Sequence, residues 1–386
     1  MKIGLILQKF VVGGAERVVL ELARRFDGSG HDVSIVSLAR GGNMLKTFEL
    51  SGLRVCQLGV PIRSVRSPRW VLDRYRGRQT IGSFFRREHF DVIHTHLMGP
   101  DVECIAAARR AQPEALIHTI HNTYAQFKSK RVADRLRNRV RRNAYRRYDR
   151  VVAVHDEVRN WAVDSGMADA GHVVTIENGI DFSRLDVPPE RGRIRAEHGW
   201  EPSTRVLLNV ASLTEQKNQI NLIRSVARLG ASDSNVRLII AGAGPLESRL
   251  MSEIHMLHLE DRVKLAGYRK DVPSLLKSCD LFVLPSRWEG LPMSVIEALA
   301  AAIPVVASDI PVHRTVLEDG KLGGLIRSAS FEDISNAVGQ VLSKLPLARE
   351  QALEASSRVR DRFSAARMAR EHLALYDRTG AGARVP

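Results

Sequence analysis

Short apolar runs with strand character alternate with helix-length segments along most of this chain. The runs fall into two series: 2–7, 33–38, 55–58, 92–95, 116–120 and 151–154, and then 206–210, 236–241, 263–265, 281–284, 305–307 and 324–326. Such alternation is typical of β-α-β units with parallel strands. Because one series stops before the other begins, the sequence predicts an α/β fold of two Rossmann-like, doubly wound domains.

Residues 186–205 separate the two series and are rich in proline, glycine and charge. We interpret this stretch as the connection between the domains. The first domain is therefore expected over 1–185 and the second from 186 to about 363. In open parallel sheets ligands bind beyond the carboxyl ends of the strands, so we expect functional residues in the loops that follow the strands.

Composition and charge exclude several classes of protein. No apolar run approaches the roughly 20 residues that span a bilayer, and the amino terminus indicates a first strand and not a secretion signal. The three cysteines, Cys56, Cys104 and Cys279, are too widely spaced for a zinc motif. We expect a cytoplasmic protein with reduced thiols. Its formal net charge of +15 indicates an anionic partner.

A glycine pair, Gly13-Gly14, follows the first predicted strand and precedes a helix with Glu16 in its first turn. Glycines and a helix amino terminus let backbone amides approach a phosphate; the alternative is a simple tight turn. The GxG that follows a predicted strand, Gly242 and Gly244, lacks the third glycine of a dinucleotide fingerprint. We therefore expect no nicotinamide or flavin cofactor.

Four histidines, His94, His96, His118 and His121, lie at or just beyond the ends of two predicted strands. No carboxylate motif completes a metal site, so we expect no metal. His121, in the loop, is predicted to contact a substrate. For His94 and His118 a role as hydrogen-bonded core residues stays open.

The second half places Ser212, Thr214 and Lys217 in the turn after the strand at 206–210. A lysine at the mouth of a strand can bind a phosphate as a point charge, although most single lysines are merely solvated.

Two glutamates follow the strand at 281–284. Glu289 lies in the next loop, and Glu297 lies in the second turn of a helix that Pro292 opens, where we expect it to face outward. Each is either an ordinary charged residue or an acceptor for the paired hydroxyls of a ribose or a hexose. The helix amino terminus at Leu291 to Met293 is available to a phosphate.

Over nearly its whole length the chain resembles the retaining nucleotide-sugar glycosyltransferases of family 4, which have the GT-B fold. The likeness rests on the order and spacing of these segments: GGAERVVLELA, VIHTHL, ENGIDFSRL, SLTEQKN, IIAGAGPLESRL, and LAGYRKDVPSLLKSCDLFVLPSRWEGLPMSVIEALAAAIPVVASD with its E-x7-E. It implies two domains facing a cleft and a carboxyl-terminal helix, about 364–386, that packs back on the first domain.

The resemblance also implies an activity and a set of site residues. A hexose would be transferred with retention from a nucleoside diphosphate sugar, UDP- or GDP-linked, without a metal or cofactor. Lys217 would hold the diphosphate, Glu289 the donor sugar and Glu297 the ribose; Lys217, Glu289 and His121 are the implied catalytic residues. The other implied donor contacts are Gly13, Gly14, Ser212, Gly244, Gly290, Leu291, Pro292, Met293 and Ser294.

Two positions depart from the family pattern. Ser212 stands where many relatives have an arginine, five residues before the lysine, so another cation must serve the diphosphate or the site is weaker. His155 stands where relatives often have a serine.

A basic tract runs from Lys128 to Arg150. Its apolar residues recur at every fourth position, which predicts a helix whose apolar stripe packs on the first domain: Val132, Leu136, Val140, Ala144 and Tyr148. The arginines beside the stripe suit an anionic lipid surface, or they are merely solvated. Without interleaved aromatic residues, nucleic-acid binding is not expected.

The sequence thus predicts a glycosyltransferase that acts on a glycan, such as a lipid-linked oligosaccharide, in surface polysaccharide biosynthesis. It is expected in the cytoplasm, peripherally bound to the inner face of the plasma membrane. The alternative is a catalytically inactive GT-B module that binds anionic lipid or nucleic acid, and Ser212 is the feature that favours it.

Overall fold

The computed structural model describes residues 1–11, 13–61, 70–123, 132–188, 190–232 and 234–382. Two compact units are present: Met1–Ile180 together with Ala365–Pro386, and Asp181–Ser364. The sequence placed the corresponding boundaries after residues 185 and 363.

The first unit is a parallel sheet with the strand order β3-β2-β1-β4-β5-β6-β7. The strands are β1 Lys2–Leu7, β2 Asp32–Ser37, β3 Arg54–Gln57, β4 Val92–His96, β5 Ala115–Ile120, β6 Arg150–Ala153 and β7 Val173–Thr175. The helices are α1 Gly14–Asp27, α2 Leu45–Glu49, α3 Trp70–Glu88, α4 Pro100–Glu103, α5 Ile105–Ala111, α6 Val132–Tyr145 and α7 Asp156–Asp164.

The last strand of this sheet, β7, is absent from the prediction. It has three residues, Val173–Thr175, and only the first of them is buried. A run this short carries no usable period, so the pattern cannot separate it from a loop.

The second unit is also a parallel sheet, with the order β10-β9-β8-β11-β12-β13. Its strands are β8 Arg205–Val210, β9 Val236–Ala241, β10 Val263–Gly267, β11 Leu281–Leu284, β12 Val305–Ser308 and β13 Gly324–Ile326. Its helices are α8 Arg191–Glu197, α9 Gln219–Ser232, α10 Glu247–Met256, α11 Val272–Ser278, α12 Met293–Ala300, α13 Pro311–Val316, α14 Phe331–Ser343 and α15 Leu345–Arg362, with 3-10 turns at Phe182–Leu185, Glu215–Lys217 and Glu318–Gly320.

The central strands of both sheets are buried on both faces, as expected for parallel sheets covered by helices. All four residues of β11 are fully buried. In the second unit the side chains of α9 and α14 pack on the sheet in one continuous apolar core. The strand-like runs of the sequence therefore correspond to the central sheet of each unit, which the helices cover.

The stretch interpreted as the interdomain connection contains a helix of the second unit. In α8, Ile194 and Arg195 are buried. Arg195 donates to Asp280 Oδ2 at 2.7 Å and to the carbonyls of Thr204 and Ser278. The charged composition was misleading because this arginine is neutralised inside the unit.

Helix α16, Ala365–Gly382, completes the first unit after the chain has built the second. The amide of Ala365 donates to the carbonyl of Ile180, and the hydroxyl of Tyr376 lies 2.6 Å from His94 Nδ1. Both His94 and Tyr376 are buried, so the helix is part of the core of that unit.

The prediction that the apolar stripe of the basic tract packs on the domain is wrong for its middle part. Leu136 is 63% exposed and Val140 is 44% exposed, while Ala144 and Tyr148 are buried. Residues 128–131 of the tract lie outside the described residues. Helix α6 thus turns apolar side chains as well as arginines toward solvent.

Among the described helices, none has the length and apolarity needed to cross a lipid bilayer.

Candidate functional site

Lys217 and Glu289 form a close ion pair in the second unit. Lys217 Nζ lies 2.5 Å from Glu289 Oε1, and the two side chains are 16% and 6% exposed. Gln216 donates through Nε2 to the second carboxylate oxygen, at 3.3 Å, and to the carbonyl of Trp288 at 2.7 Å. Both oxygens of Glu289 are therefore held by consecutive residues of one turn.

The topology of the sheet explains this meeting. Lys217 follows β8 and Glu289 follows β11, and these strands are adjacent although two strands of the sheet, β9 and β10, separate them in sequence. The connections leave β8 and β11 toward opposite edges, which makes their carboxyl ends the switch point where ligands of such sheets bind. A backbone bond from Arg287 N–H to the carbonyl of Gln216, 2.8 Å, joins the two loops.

Glu297 is buried, contrary to the expectation that it faces outward from α12. Its Oε1 accepts a hydrogen bond from Arg184, in the 3-10 turn at the start of the second unit. The prediction was wrong because Arg184 lies 113 residues away in the chain, where no local pattern indicates the contact. The carboxylate is accordingly paired with a cation inside the unit.

The loop between Glu289 and α12 brings backbone groups to the same place. Gly290, Leu291 and Pro292 are buried, whereas Met293 and Ser294 are half-buried at the start of the helix. Pro292 is the residue before the helix, and no side chain caps the amino terminus of α12. Its first amide groups are of the kind that bind an anion.

Ser212 and Gly244 lie in the loops after β8 and β9. Ser212 is exposed. A Cβ atom on Gly244 would lie only 2.4 Å from the carbonyl oxygen of Leu213, so this glycine lets two loops approach closely. The close packing of the two loops is by itself enough to require a glycine at position 244, with or without a contact to a ligand.

In the first unit, the Gly13-Gly14 turn leads into α1 without a side-chain cap. Glu16 folds back over Gly13, where a Cβ atom would lie 2.2 Å from its Oε2. Burial raises the pKa of Glu16 to about 7, and a hydrogen bond to its own amide partly opposes this rise. The glycine turn therefore has a carboxyl group that titrates near neutrality.

Of the four strand-end histidines, His94, His96 and His118 are buried in the core, and His121 is half-buried in the loop that follows β5. His94 bonds to Tyr376 and Thr119, and His118 bonds to Thr95. His96 Nδ1 lies 3.1 Å from His121 Nε2. Burial lowers the pKa of His121 to about 3 and that of His118 to about 4. Within the described part of the chain, His96 Nε2 and His121 Nδ1 have no hydrogen-bond partner.

Some residues around these sites were not predicted. Gln216 and Arg184 lie within segments that carry the resemblance, SLTEQKN and ENGIDFSRL, but have no signal of their own. His313 is fully buried on α13 and belongs to no motif. His155, noted as a departure, caps α7 by accepting a hydrogen bond from the amide of Glu157 at 3.1 Å.

The described residues contain no group of three or more histidine, cysteine, aspartate or glutamate side chains arranged to hold a metal ion. The three cysteines are free thiols.

Comparisons with known proteins give matches over both units. Residues 12–184 match the family model described as Glycosyltransferase Family 4, and residues 190–358 match the model described as Glycosyl transferases group 1. The chain is 25% identical over 260 residues to the UDP-Gal:alpha-D-GlcNAc-diphosphoundecaprenol alpha-1,3-galactosyltransferase of Escherichia coli, which covers 66% of this chain and 67% of the relative. It is 22% identical over 368 residues to the N-acetyl-alpha-D-glucosaminyl L-malate synthase of Bacillus anthracis, covering 95% and 94%.

Among solved structures, Anabaena Alr3699/HepE in complex with UDP and glucose superposes with a TM-score of 0.84. The superposition covers 98% of this chain and 99% of that one, at 21% sequence identity. This likeness establishes the fold of the whole chain.

Proposed function

The chain belongs to the family 4 (group 1) glycosyltransferases, and from this membership we propose that it transfers a hexose from a nucleoside diphosphate sugar to a glycan, with retention of configuration and without a metal ion. One relative, from Rhizobium meliloti, is named as a mannosyltransferase of lipopolysaccharide core biosynthesis. The observation that carries the proposal is the ion pair of Lys217 with Glu289, which stands at the switch point of the second sheet.

The chemistry of the reaction matches this arrangement. Cleavage of the bond between a sugar and a diphosphate leaves negative charge on the diphosphate, and a preorganised cation stabilises that charge most where water is excluded. Lys217 is the cation, and Glu289 accepts hydrogen bonds from the sugar hydroxyls. Arg184 and Gln216 hold the carboxylates of Glu297 and Glu289 in place for the ribose and the hexose.

The donor and the acceptor are taken from the relatives as the first substrates to try. The name of the E. coli relative describes a UDP-linked galactose and a sugar carried on diphosphoundecaprenol. We propose a UDP- or GDP-linked donor and a lipid-linked acceptor for this chain also.

Thermal stability with ligands tests the donor site. A ligand that binds only the folded protein raises the midpoint of unfolding. We expect one of UDP, GDP and ADP, and its hexose conjugates, to raise the midpoint equally with and without EDTA. A rise that EDTA abolishes would contradict metal independence, and no rise with any nucleotide would contradict the function.

Substitutions assign the effect to the ion pair. Lys217→Ala is expected to remove the rise for the nucleotide and its conjugates, and Glu289→Gln to lower transfer by at least about 100-fold, the cost of losing one strong transition-state contact. The exposed Lys321, in the same unit, gives the matched control Lys321→Ala, which should behave like the wild type. Unchanged transfer by Glu289→Gln would show that the donor site is elsewhere.

We also propose that α6 docks the protein on an anionic membrane surface. Leu136 and Val140 are exposed beside Arg135 and Arg139, which are exposed too. Apolar side chains flanked by arginines fit the boundary between headgroups and acyl chains, and each basic residue near such a surface contributes about 1 kcal/mol.

Sedimentation with vesicles tests this docking. The wild type is expected to bind vesicles of phosphatidylglycerol and phosphatidylcholine at low salt, and vesicles of phosphatidylcholine alone only weakly. Arg135→Glu with Arg139→Glu should abolish the difference. The charge-matched control is Arg228→Glu with Lys321→Glu, two exposed cations of the second unit. Equal losses in both variants would mean that net charge, and not α6, attracts the lipid.

A further inference from the structure

His313 is a buried histidine that belongs to no motif. Among the described residues, only one of its two ring nitrogens has a hydrogen-bond partner. It lies on α13, after the carboxyl end of β12, and is fully buried. Its Nδ1 lies 2.9 Å from the carbonyl oxygen of Ser308. A carbonyl oxygen only accepts hydrogen bonds, so Nδ1 carries the proton and Nε2 of the neutral ring presents a lone pair.

That lone pair has no partner among the residues that the structure describes. Buried polar atoms are nearly always paired, by protein, water or ligand, and each exception requires an explanation. The Oγ of Ser286, also buried, is likewise without a partner within the described residues. Ser308 Oγ donates to the carbonyl of Ser286 at 2.6 Å, which ties the loops of the two side chains together.

The loop that Ser308 joins to the start of α13 runs on from Ser286 to Glu289, and His313 responds to the charges of the Lys217–Glu289 pair. Burial lowers the pKa of His313, while the charge of Glu289 raises it and that of Lys217 lowers it. A ring nitrogen that only accepts cannot bind a phosphate oxygen, which has no proton to give at neutral pH. Its partner must be a hydroxyl or an N–H group.

We propose that His313 Nε2 accepts a hydrogen bond from a hydroxyl of the hexose that the enzyme transfers. This inference rests on the proposed function. The sugar is the hydroxyl-bearing part of the donor assigned to Glu289, whereas the ribose is assigned to Glu297. His313 is thus a residue that binds and selects the sugar, and Nδ1 fixes the tautomer that it needs.

Two substitutions separate the two nitrogens of the ring. His313→Asn keeps an N–H group where Nδ1 donates to Ser308 and removes the acceptor at Nε2. His313→Gln extends an amide oxygen to the position of Nε2 and restores an acceptor. The probes are UDP and UDP-galactose, or the nucleotide pair that the thermal screen selects.

We expect His313→Asn to weaken the binding of UDP-galactose about tenfold, the effect of losing one hydrogen bond to a neutral partner, and to leave the affinity for UDP within about twofold. His313→Gln should recover most of the loss. Equal weakening of both ligands, or of neither, would overturn the proposal. A wild type that binds no nucleotide at all would instead contradict the proposed function, and this inference with it.

Nitrogen NMR of the wild type with labelled histidine gives a result that does not depend on the folding of a variant. The Nε2 resonance of His313, assigned by its absence in His313→Gln, has the shift of an unprotonated ring nitrogen in the free protein. On addition of UDP-galactose it should move in the direction of an accepted hydrogen bond, and UDP alone should leave it in place. No movement with UDP-galactose would overturn the proposal.

Discussion

Glu16 shows how one buried carboxyl group can make a binding turn sensitive to pH. It lies against Gly13 at the start of α1, where no other described charge contributes to its pKa. When it is ionised, its negative charge stands beside amides that the family resemblance assigns to a phosphate. Its protonation state therefore affects both the stability of the first unit and the anion that the turn can accept.

We predict that Glu16→Gln removes part of the pH dependence of stability. The pKa of Glu16 is about 7 in the folded protein against 4.5 unperturbed. The folded state holds the proton more tightly, so the free energy of unfolding falls as pH rises from 4.5 to 7 and is level on either side, a total of roughly 3 kcal/mol.

Urea unfolding at pH 4.5 and pH 8 measures this effect. Wild type and Glu16→Gln should be similar at pH 4.5, and the variant should be the more stable at pH 8. Parallel stability curves for the two proteins would show that Glu16 ionises normally.

We predict that Ser212→Arg strengthens binding of the nucleoside diphosphate. Ser212 is exposed in the loop after β8, five residues before Lys217, so a longer side chain has room. An arginine there adds a bidentate donor for phosphate. Titration calorimetry should show an affinity for the diphosphate several-fold higher, with Ser212→Gln as the uncharged control.

If Ser212→Arg and Ser212→Gln bind the diphosphate equally, a cation at this position adds nothing. The missing charge would then already be supplied by another group of the second unit.

Some residues of the site could be predicted from the sequence and others could not. Lys217 and Glu289 were predictable because each directly follows a strand whose burial pattern is clear, and strand ends of a parallel sheet meet at one edge. Arg184 and His313 were not, since their contacts depend on the path of the chain over more than a hundred residues and on a short helix. The burial of Glu297 was not predicted because its partner, Arg184, was not recognised.

At the level of elements, the loops after β8 and β9 support each other through backbone contacts. Leu213 N–H donates to the carbonyl of Ala243 at 3.0 Å, and Leu246 N–H donates to the carbonyl of Leu213 at 3.2 Å. The turn that carries Lys217 begins directly after Leu213. The position of the lysine thus depends on how closely the neighbouring loop can pack.

We predict that Gly244→Ala loosens this packing. The added methyl group would meet the backbone of Leu213, which cannot move aside as a side chain would. Overpacking of this kind costs about 1–3 kcal/mol of stability, and the displaced turn should weaken nucleotide binding. Thermal unfolding with and without nucleotide measures both.

The control is Gly192→Ala in α8, where a Cβ atom meets nothing within 4 Å. It is expected to be neutral or slightly stabilising. A Gly244→Ala protein as stable as this control would mean that the two loops separate without cost.

The apolar patterns of the sequence predicted the strands of the two sheets. They failed for helices whose burial depends on the tertiary fold. The strand runs are buried on both faces and so carry a strong apolar signal. Helix α6 was correctly placed, but its apolar period of four did not show that Leu136 and Val140 stay exposed. Whether another element covers an apolar stripe depends on the tertiary fold and not on the local sequence. In α8 the charged composition hid a helix that buries Ile194 and Arg195.

At the scale of the whole molecule, the chain leaves the first unit at Ile180, builds the second, and returns with α16. The last described helix therefore belongs to the core that the first strands begin. Met368, His372 and Tyr376 are buried in that core, and Tyr376 contacts His94 and Phe26. Completion of the first unit requires the synthesis of the second.

We predict that truncation after Ser364 unfolds the first unit and spares the second. Loss of α16 exposes the ring of Phe26 and leaves His94 Nδ1 without its hydroxyl partner, in addition to the apolar area lost with several buried side chains. Hydrogen exchange followed by mass spectrometry should show lost protection in β1, β4 and β5 and retained protection in β8 and β11.

Tyr376→Phe is the mild counterpart of the truncation. It removes only the hydroxyl that lies near His94 and should cost about 1 kcal/mol, with protection lowered throughout the first unit but not lost. If the truncated chain kept full protection in β1 and β4, α16 would be an appendage of the first unit and not part of its core. Nucleotide binding by the truncated chain is a property of the second unit alone, which the truncation is predicted to leave folded. That unit contains Lys217, Glu289, Glu297 and His313.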